Sequence, residues 1–259
     1  MWTLLQIAAR NLAQHRRRTL LLGGAIAGVT GLLVILLGLS TGIRETMLRT
    51  ATTLLTGHIN VAGFYKVTAG QSAPVVTDYR AVLEIVRRET PELTYLVERG
   101  RGYGKIISDT ASMQGGISGL DIQGETGLRE VLQIADGRLD DLSQPGTVLL
   151  FEDQAKRLEV KVGDTLTIST STPRGVANTL DVRIVAIARD VGLLSRFYVY
   201  IPMVSLRNLY QLNDNATGAL MLYLKDLQAL PAVQERLRAK LTEAGYRLLD
   251  PSPQPFFQK

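Results

Sequence analysis

The chain has 259 residues, with 29 Lys and Arg against 24 Asp and Glu, two His and no Cys. That length allows one large domain or two small ones. The missing cysteines exclude disulfide scaffolds, thiolate metal sites and cysteine nucleophiles, and His15 and His58 alone speak against a multi-histidine metal centre. Residues 1–18 carry Arg10, Arg16, Arg17 and Arg18 and no acid, which leaves 25 basic against 24 acidic residues in the rest of the chain. The body of the protein is therefore nearly neutral and lacks the basic face that a nucleic-acid reader needs.

Residues 1–18 place Trp2, Leu5, Ile7, Ala8, Leu12 and Ala13 at near-helical spacing, as in an amphipathic helix lying in the cytoplasmic headgroup layer. Residues 19–43, TLLLGGAIAGVTGLLVILLGLSTGI, then run for 25 positions without a charge. About 20 apolar residues span a bilayer, and a helix apolar on every side must be buried all round, so this segment reads as a transmembrane helix. A cleaved signal peptide would have an apolar core of about 7–15 residues ending in a small-residue cleavage site, and this run is longer and ends in LSTGIR. Arg16, Arg17 and Arg18 at its amino-terminal end predict that this end stays in the cytoplasm and that everything after Arg44 lies outside it. Gly24, Gly28 and Gly31 stand at spacings that let helices approach closely in lipid, and predict a partner helix.

No second run of membrane length follows, so residues 44–259 read as an aqueous domain. Residues 44–55 continue as a helical stalk with Met47 and Leu48 on one side, where they either pack against another helix or face an apolar substrate. HINVAGFY is a strand. Residues 76–90 form a helix that Asp78 caps and Pro91 stops. Strands TYLVER and KIISDT flank a turn at residues 100–104, and GISGLDIQG follows. Residues 133–213 change character. TVLLFED, DTLTIST, TLDVRIVAIA and FYVYIP are β-branched and aromatic runs between Gly, Pro and Asn turns, with short helices only at residues 154–158 and 204–212. ALMLYLK is again a strand, Pro231 opens a helix that Gly245 closes, and YRLL is a returning strand.

The fold class is α+β: one amino-terminal transmembrane helix and an extracytoplasmic domain whose α/β part, residues 44–132 and 214–259, is split by a β-rich insert at residues 133–213.

Catalytic patterns are missing. The glycines of GRGYGK lack the spacing and the Ser/Thr of a phosphate loop, and GISG is not a nucleophile elbow. Asp140 with Asp141 and Glu152 with Asp153 are sequence neighbours whose side chains diverge, as suits solvation or helix capping. No enzyme, cofactor or metal site is expected.

The order of features is more specific than any single motif. Arg10-Asn11-Leu12, then RRRTLLL, then the glycine-rich span resembles the opening of the MacB/LolC/LolE class of ABC transporter permeases, which share the FtsX-like architecture. GTVLLFEDQAKRLEVKVGDTLTI resembles that family's strand, A-K-x-L-x-V-K-x-G-D, strand pattern at Ala155, Lys156, Leu158, Val160, Lys161, Gly163 and Asp164. VRIVAIARDVG and YVYIPMVSLRNLYQL resemble the elements that come next. The resemblance implies a porter-like α/β subdomain carrying a sabre-like β-rich one. It also implies a type VII system in which a separate cytoplasmic ABC ATPase drives the external domain by mechanotransmission, with a second permease subunit as homo- or heterodimer. The HINV strand resembles the lipoprotein-releasing branch and implies a lipoprotein or other substrate taken from the outer side of the bacterial inner membrane. Family members carry three further transmembrane helices, so a longer permease or a second chain is expected to complete the transporter. The alternative is a single-pass, membrane-anchored periplasmic binding module without transport.

Overall fold

The computed structural model describes residues 2, 6, 10, 15–52, 57–63, 65–68, 71–73, 75–191 and 195–246. The chain divides into two units, Met1–Arg49 and Thr50–Lys259.

The first unit is dominated by helix α1, Arg16–Ala51, whose Leu, Ile and Val side chains from Leu20 to Ile43 are exposed. The stretch Arg16–Ile43 is long and apolar enough to cross a membrane. Trp2, Gln6 and Arg10 are helical and exposed; the rest of the expected amphipathic stripe lies outside the described residues.

The second unit is built on a nine-stranded mixed sheet. Its strands are β1 (Ile59–Ala62), β4 (Leu93–Ile107), β5 (Ser112–Leu120), β6 (Ile134–Gly137), β7 (Thr147–Phe151), β8 (Thr165–Ser171), β9 (Ala177–Ala188), β10 (Tyr198–Pro202) and β11 (Ala219–Leu224). A separate hairpin pairs β2 (Tyr65–Thr68) with β3 (Gln71–Ala73). The helices of this unit are α2 (Tyr79–Glu89), α3 (Thr126–Val131), α4 (Glu152–Leu158), α5 (Met203–Tyr210) and α6 (Leu230–Glu243).

The sheet closes on itself. β4 pairs with β5, β5 with β10, β10 with β7, β7 with β9, β9 with β8, and β8 returns to β4 through Lys105↔Ser169, Ile106↔Ile168 and Ile107↔Thr167. These pairings make a ring of six strands, and closure removes the exposed edges that an open sheet would present. Alternation sends Ile106, Met113, Ile117, Val148, Leu150, Leu166, Ile168, Val182, Ile184, Val199 and Ile201 into one aliphatic core. Outside the ring, Leu120, Leu149, Phe151 and Tyr200 form a second core with Leu128 of α3 and Leu142 of the 3-10 turn Leu139–Ser143. A third core belongs to the α/β layer, where Leu220, Leu222 and Leu224 of β11 meet Val82 and Val86 of α2 and Val233, Leu237 and Leu241 of α6. β4 is common to both regions. It pairs with β11 through Leu93–Arg99 and enters the ring beyond that point.

The glycine run at residues 100–104 is not the expected turn; β4 passes through it unbroken. A Cβ at Gly100 would lie 2.5 Å from Leu206 Cδ2, and one at Gly102 would lie 2.5 Å from Tyr210 Cε2. The glycines clear the inward face of β4 so that α5 can settle on β4, β5, β8, β9 and β10 and plug the ring with Met203, Leu206 and Leu209.

Asp78 does not cap α2 with its side chain. Its carboxylate instead accepts from Asn215 Nδ2 at 3.2 Å and Tyr246 Oη at 3.1 Å, while Asn215 Oδ1 accepts from the Arg80 N–H at 2.9 Å. A residue 135 positions away thus satisfies one of the free N–H groups at this helix start. α6 opens on Pro231 and is closed by Gly245 at φ +90°, as the sequence predicts. The expected returning strand after Tyr246 lies outside the described residues.

The A-K-x-L-x-V-K-x-G-D segment has a structural explanation. α4 ends at buried Leu158, Glu159 takes a left-handed φ of 56°, and the Val160 N–H donates back to the Ala155 carbonyl at 3.0 Å. Asp164 Oδ2 then accepts from the Lys161 N–H at 2.9 Å, and Gly163 at φ +98° turns the chain into β8.

Candidate functional site

Arg16, Arg17 and Arg18 open α1 and are all exposed. Gly24, Gly28 and Gly31 face open space, with nothing within 4 Å of where a Cβ would stand. They leave a shallow strip on a helix otherwise rich in Leu, Ile and Val. Met47 and Leu48 belong to the helical backbone of α1, and their side chains lie outside the described residues.

In the folded domain several of the described ionisable groups pair with one another or with the backbone. Among the described residues no cluster of three His, Asp or Glu side chains is arranged to hold a metal. Asp140 pairs with Arg129 at 2.7 Å and Asp153 with Arg196 at 3.2 Å, both on exposed surface. His58 turns Nδ1 to the Leu224 N–H at 2.9 Å, taking the place of a ladder acceptor, and stands edge-on to Tyr223 at 5.3 Å. Burial lowers its pKa below the ordinary histidine value, which suits a neutral ring accepting at Nδ1.

The most unusual group is one the sequence does not advertise. Arg99 and Glu125 are 0% and 2% exposed and form a bidentate pair, Nε to Oε1 and Nη2 to Oε2, the latter at 2.8 Å. The guanidinium lies 5.7 Å from the Tyr200 ring centroid. Burial pulls its pKa down, but the hydrogen bonds and charge of Glu125 outweigh that, holding it above the ordinary value. The pair fastens the segment leading into α3 to β4 at Arg99, the last β4 residue paired with β11 and the first paired with β5. In the sequence, Arg99 looks like one more charged residue in an alternating strand.

A cleft of about 360 Å³ opens between the Thr172–Arg174 end of the β8–β9 hairpin, the carboxy-terminal end of α5 and the segment at Val75 that precedes α2. Tyr210, at its wall, donates to the Tyr103 carbonyl at 2.9 Å and accepts from the Tyr103 N–H at 2.8 Å, which fixes that side of the cleft.

A family described as the MacB-like periplasmic core domain matches residues 19–240. No curated protein matches the chain. Among solved structures, the extracellular domain of the noncanonical ABC-type transporter YknZ from Gram-positive bacteria is 14% identical, with a TM-score of 0.48 over 73% of this chain and 96% of that one. The periplasmic region of MacB from Actinobacillus actinomycetemcomitans is 16% identical, with a TM-score of 0.43 over 63% and 74%. A domain of a putative permease protein from Porphyromonas gingivalis is 16% identical, with a TM-score of 0.42 over 75% and 92%. The family match covers most of the chain, from the apolar helix into α6, and so the protein belongs to the MacB-like periplasmic core domain family of ABC transporter permeases.

Proposed function

We propose that this chain acts as the permease subunit of an ABC transporter in the bacterial inner membrane, with its amino terminus in the cytoplasm and the ring-bearing domain in the periplasm. A separate cytoplasmic ATPase drives it, and a second permease subunit faces it. The observation that carries this reading is the family match running without a break from the membrane helix into the folded domain. The arginine triplet beside an uncharged span supports the orientation. The strip at Gly24, Gly28 and Gly31 supports a helix partner, with bilayer lipid around the remaining faces.

Mechanotransmission draws support from α1 itself. At a rise of about 1.5 Å per residue its 36 residues extend about 54 Å, beyond the roughly 30 Å of hydrocarbon, as one continuous helix. Such a helix suits the transfer of motion across the membrane. We propose a lipoprotein as the cargo, extracted from the outer leaflet, with Met47 and Leu48 near the exit of the span contacting its acyl chains.

Because the chain has no cysteine, single-cysteine variants report topology directly. Exposed Asp109→Cys should react with a membrane-impermeant maleimide in intact spheroplasts, and Gln6→Cys only after permeabilisation; the reverse pattern refutes the orientation. Depletion of the protein should leave lipoproteins in the inner-membrane fraction of a density gradient, and an unchanged distribution refutes that cargo.

A further inference from the structure

The cleft beside Tyr210 has the composition of a small binding site. Its walls are apolar at Val75, Pro173, Leu212 and Ala216, and no carboxylate lines it. Arg174, Gln211 and Asn213 place N–H donors on its lining. Arg174 forms no ion pair among the described residues, and the Gln211 side chain makes no hydrogen bond among them. Asn213 has its Oδ1 occupied by the Asn215 N–H at 3.1 Å, which leaves its amide N–H₂ as a donor. A cation and two amide donors on a concave, otherwise apolar surface complement a carboxylate attached to a compact apolar body.

The volume sets the ligand's size. At about 360 Å³ the cleft lies at the lower end of the about 300–1,000 Å³ of small-molecule sites, room for a ligand such as an acylated amino acid. Its walls join two regions: Thr172 and Arg174 belong to the hairpin of the strand ring, and Val75 and Ala216 flank the bridge between Val76 and Thr217 that leads into α2. Gln211 holds the rim in place through its left-handed φ of 52°, with its N–H bonded to the Asn208 carbonyl at 3.2 Å.

We propose that this cleft is a binding site for a small carboxylate with an apolar body, its carboxyl on Arg174, and that an occupant ties the β8–β9 hairpin to the segment entering α2. The carboxylate comes either from a free small acid or from the carboxy terminus of a protein chain. The site goes beyond the transport reading and is measured on the purified chain without ATPase or cargo.

The test titrates the full chain in maltoside micelles with N-acetyl-leucine, N-acetyl-leucinamide and a pentapeptide ending in a free leucine, by calorimetry and saturation-transfer NMR. N-acetyl-leucine should bind in the millimolar range, and its neutral amide should bind about tenfold more weakly or not at all. Arg174→Gln should weaken N-acetyl-leucine about tenfold. Thr77→Trp, which fills the rim from an exposed position and leaves Arg174 in place, should abolish binding. Pentapeptide affinity equal to that of N-acetyl-leucine assigns the site to chain termini, and weaker affinity assigns it to free acids. The proposal is overturned if N-acetyl-leucine shows no binding at about 20 mM, if the amide binds equally, or if both variants bind as the wild type does.

Discussion

Removing the carboxylate of Glu125 takes from Arg99 its counter-charge inside the protein. In the native fold the guanidinium is fully buried, and Glu125 holds it with two charged hydrogen bonds. Glu125→Ala leaves that cation desolvated, and breaking one side of a buried ion pair costs about 3–5 kcal/mol. A domain of this size has about 5–15 kcal/mol of net stability and shifts by about 2–4 °C per kcal/mol, so its Tm should fall by about 6–20 °C. Arg99→Met with Glu125→Leu removes both charges and keeps apolar bulk in the space below Tyr200. That double variant should recover most of the loss, because a buried pair replaced by packed apolar groups is about neutral or even stabilising. Thermal unfolding of the full chain in detergent, followed by far-ultraviolet circular dichroism, measures all three. If Glu125→Ala unfolds within about 2 °C of the wild type, or if the double variant is worse than the single one, the pair is not the electrostatic lock described.

Three further predictions follow from local geometry. Gly102→Ala should cost about 1–3 kcal/mol in urea unfolding because its methyl meets the Tyr210 ring, whereas Gly124→Ala, whose Cβ would stand 3.7 Å from the Asp121 carbonyl oxygen, should be tolerated; equal stability of the two would show that α5 does not need the glycine bed. Among the described residues the buried Thr217 hydroxyl has no hydrogen-bond partner, so Thr217→Val should raise stability by about 1 kcal/mol, and a loss would show that the hydroxyl is bonded. His58 has a lowered pKa in the folded state, from burial, while the unfolded chain titrates near about 6.5. Its contribution is therefore fully present above that pH and is lost as pH falls from there through the lowered value, because the unfolded state binds the proton first. His58→Gln, which keeps a neutral acceptor for the Leu224 N–H, should flatten this part of the Tm–pH curve, and an unchanged curve would place the dependence elsewhere.

The membrane helix was legible because twenty-five uncharged residues beside an arginine cluster admit few other structures. The strands of the domain were legible because β-branched alternation survives in segments such as TVLLF and DVRIVAIA. What alternation does not encode is which strands meet, and ring closure through β8 and β4 depends on pairs 60 to 64 residues apart in sequence, Lys105 with Ser169 among them. The glycine run of β4 misled because glycine serves both sharp turns and close packing, and only the position of Tyr210 shows which is at work. Arg99 and Glu125 carry no local signal at all: their burial follows from the path of the segment before α3, and a charged residue in a strand usually faces water. Arg174 and Gln211 likewise look like ordinary loop residues until the hairpin and α5 bring them to one cleft.

Whether this domain serves an ATP-driven transporter is tested by purifying the protein from its native membrane in mild detergent and identifying what accompanies it. An ATPase of the ATP-binding cassette type should co-purify in stoichiometric amount, and its hydrolysis rate should change when Gly24 and Gly28 are both replaced by Leu. A preparation that holds only envelope proteins, with no ATPase under any extraction condition, would contradict the claim.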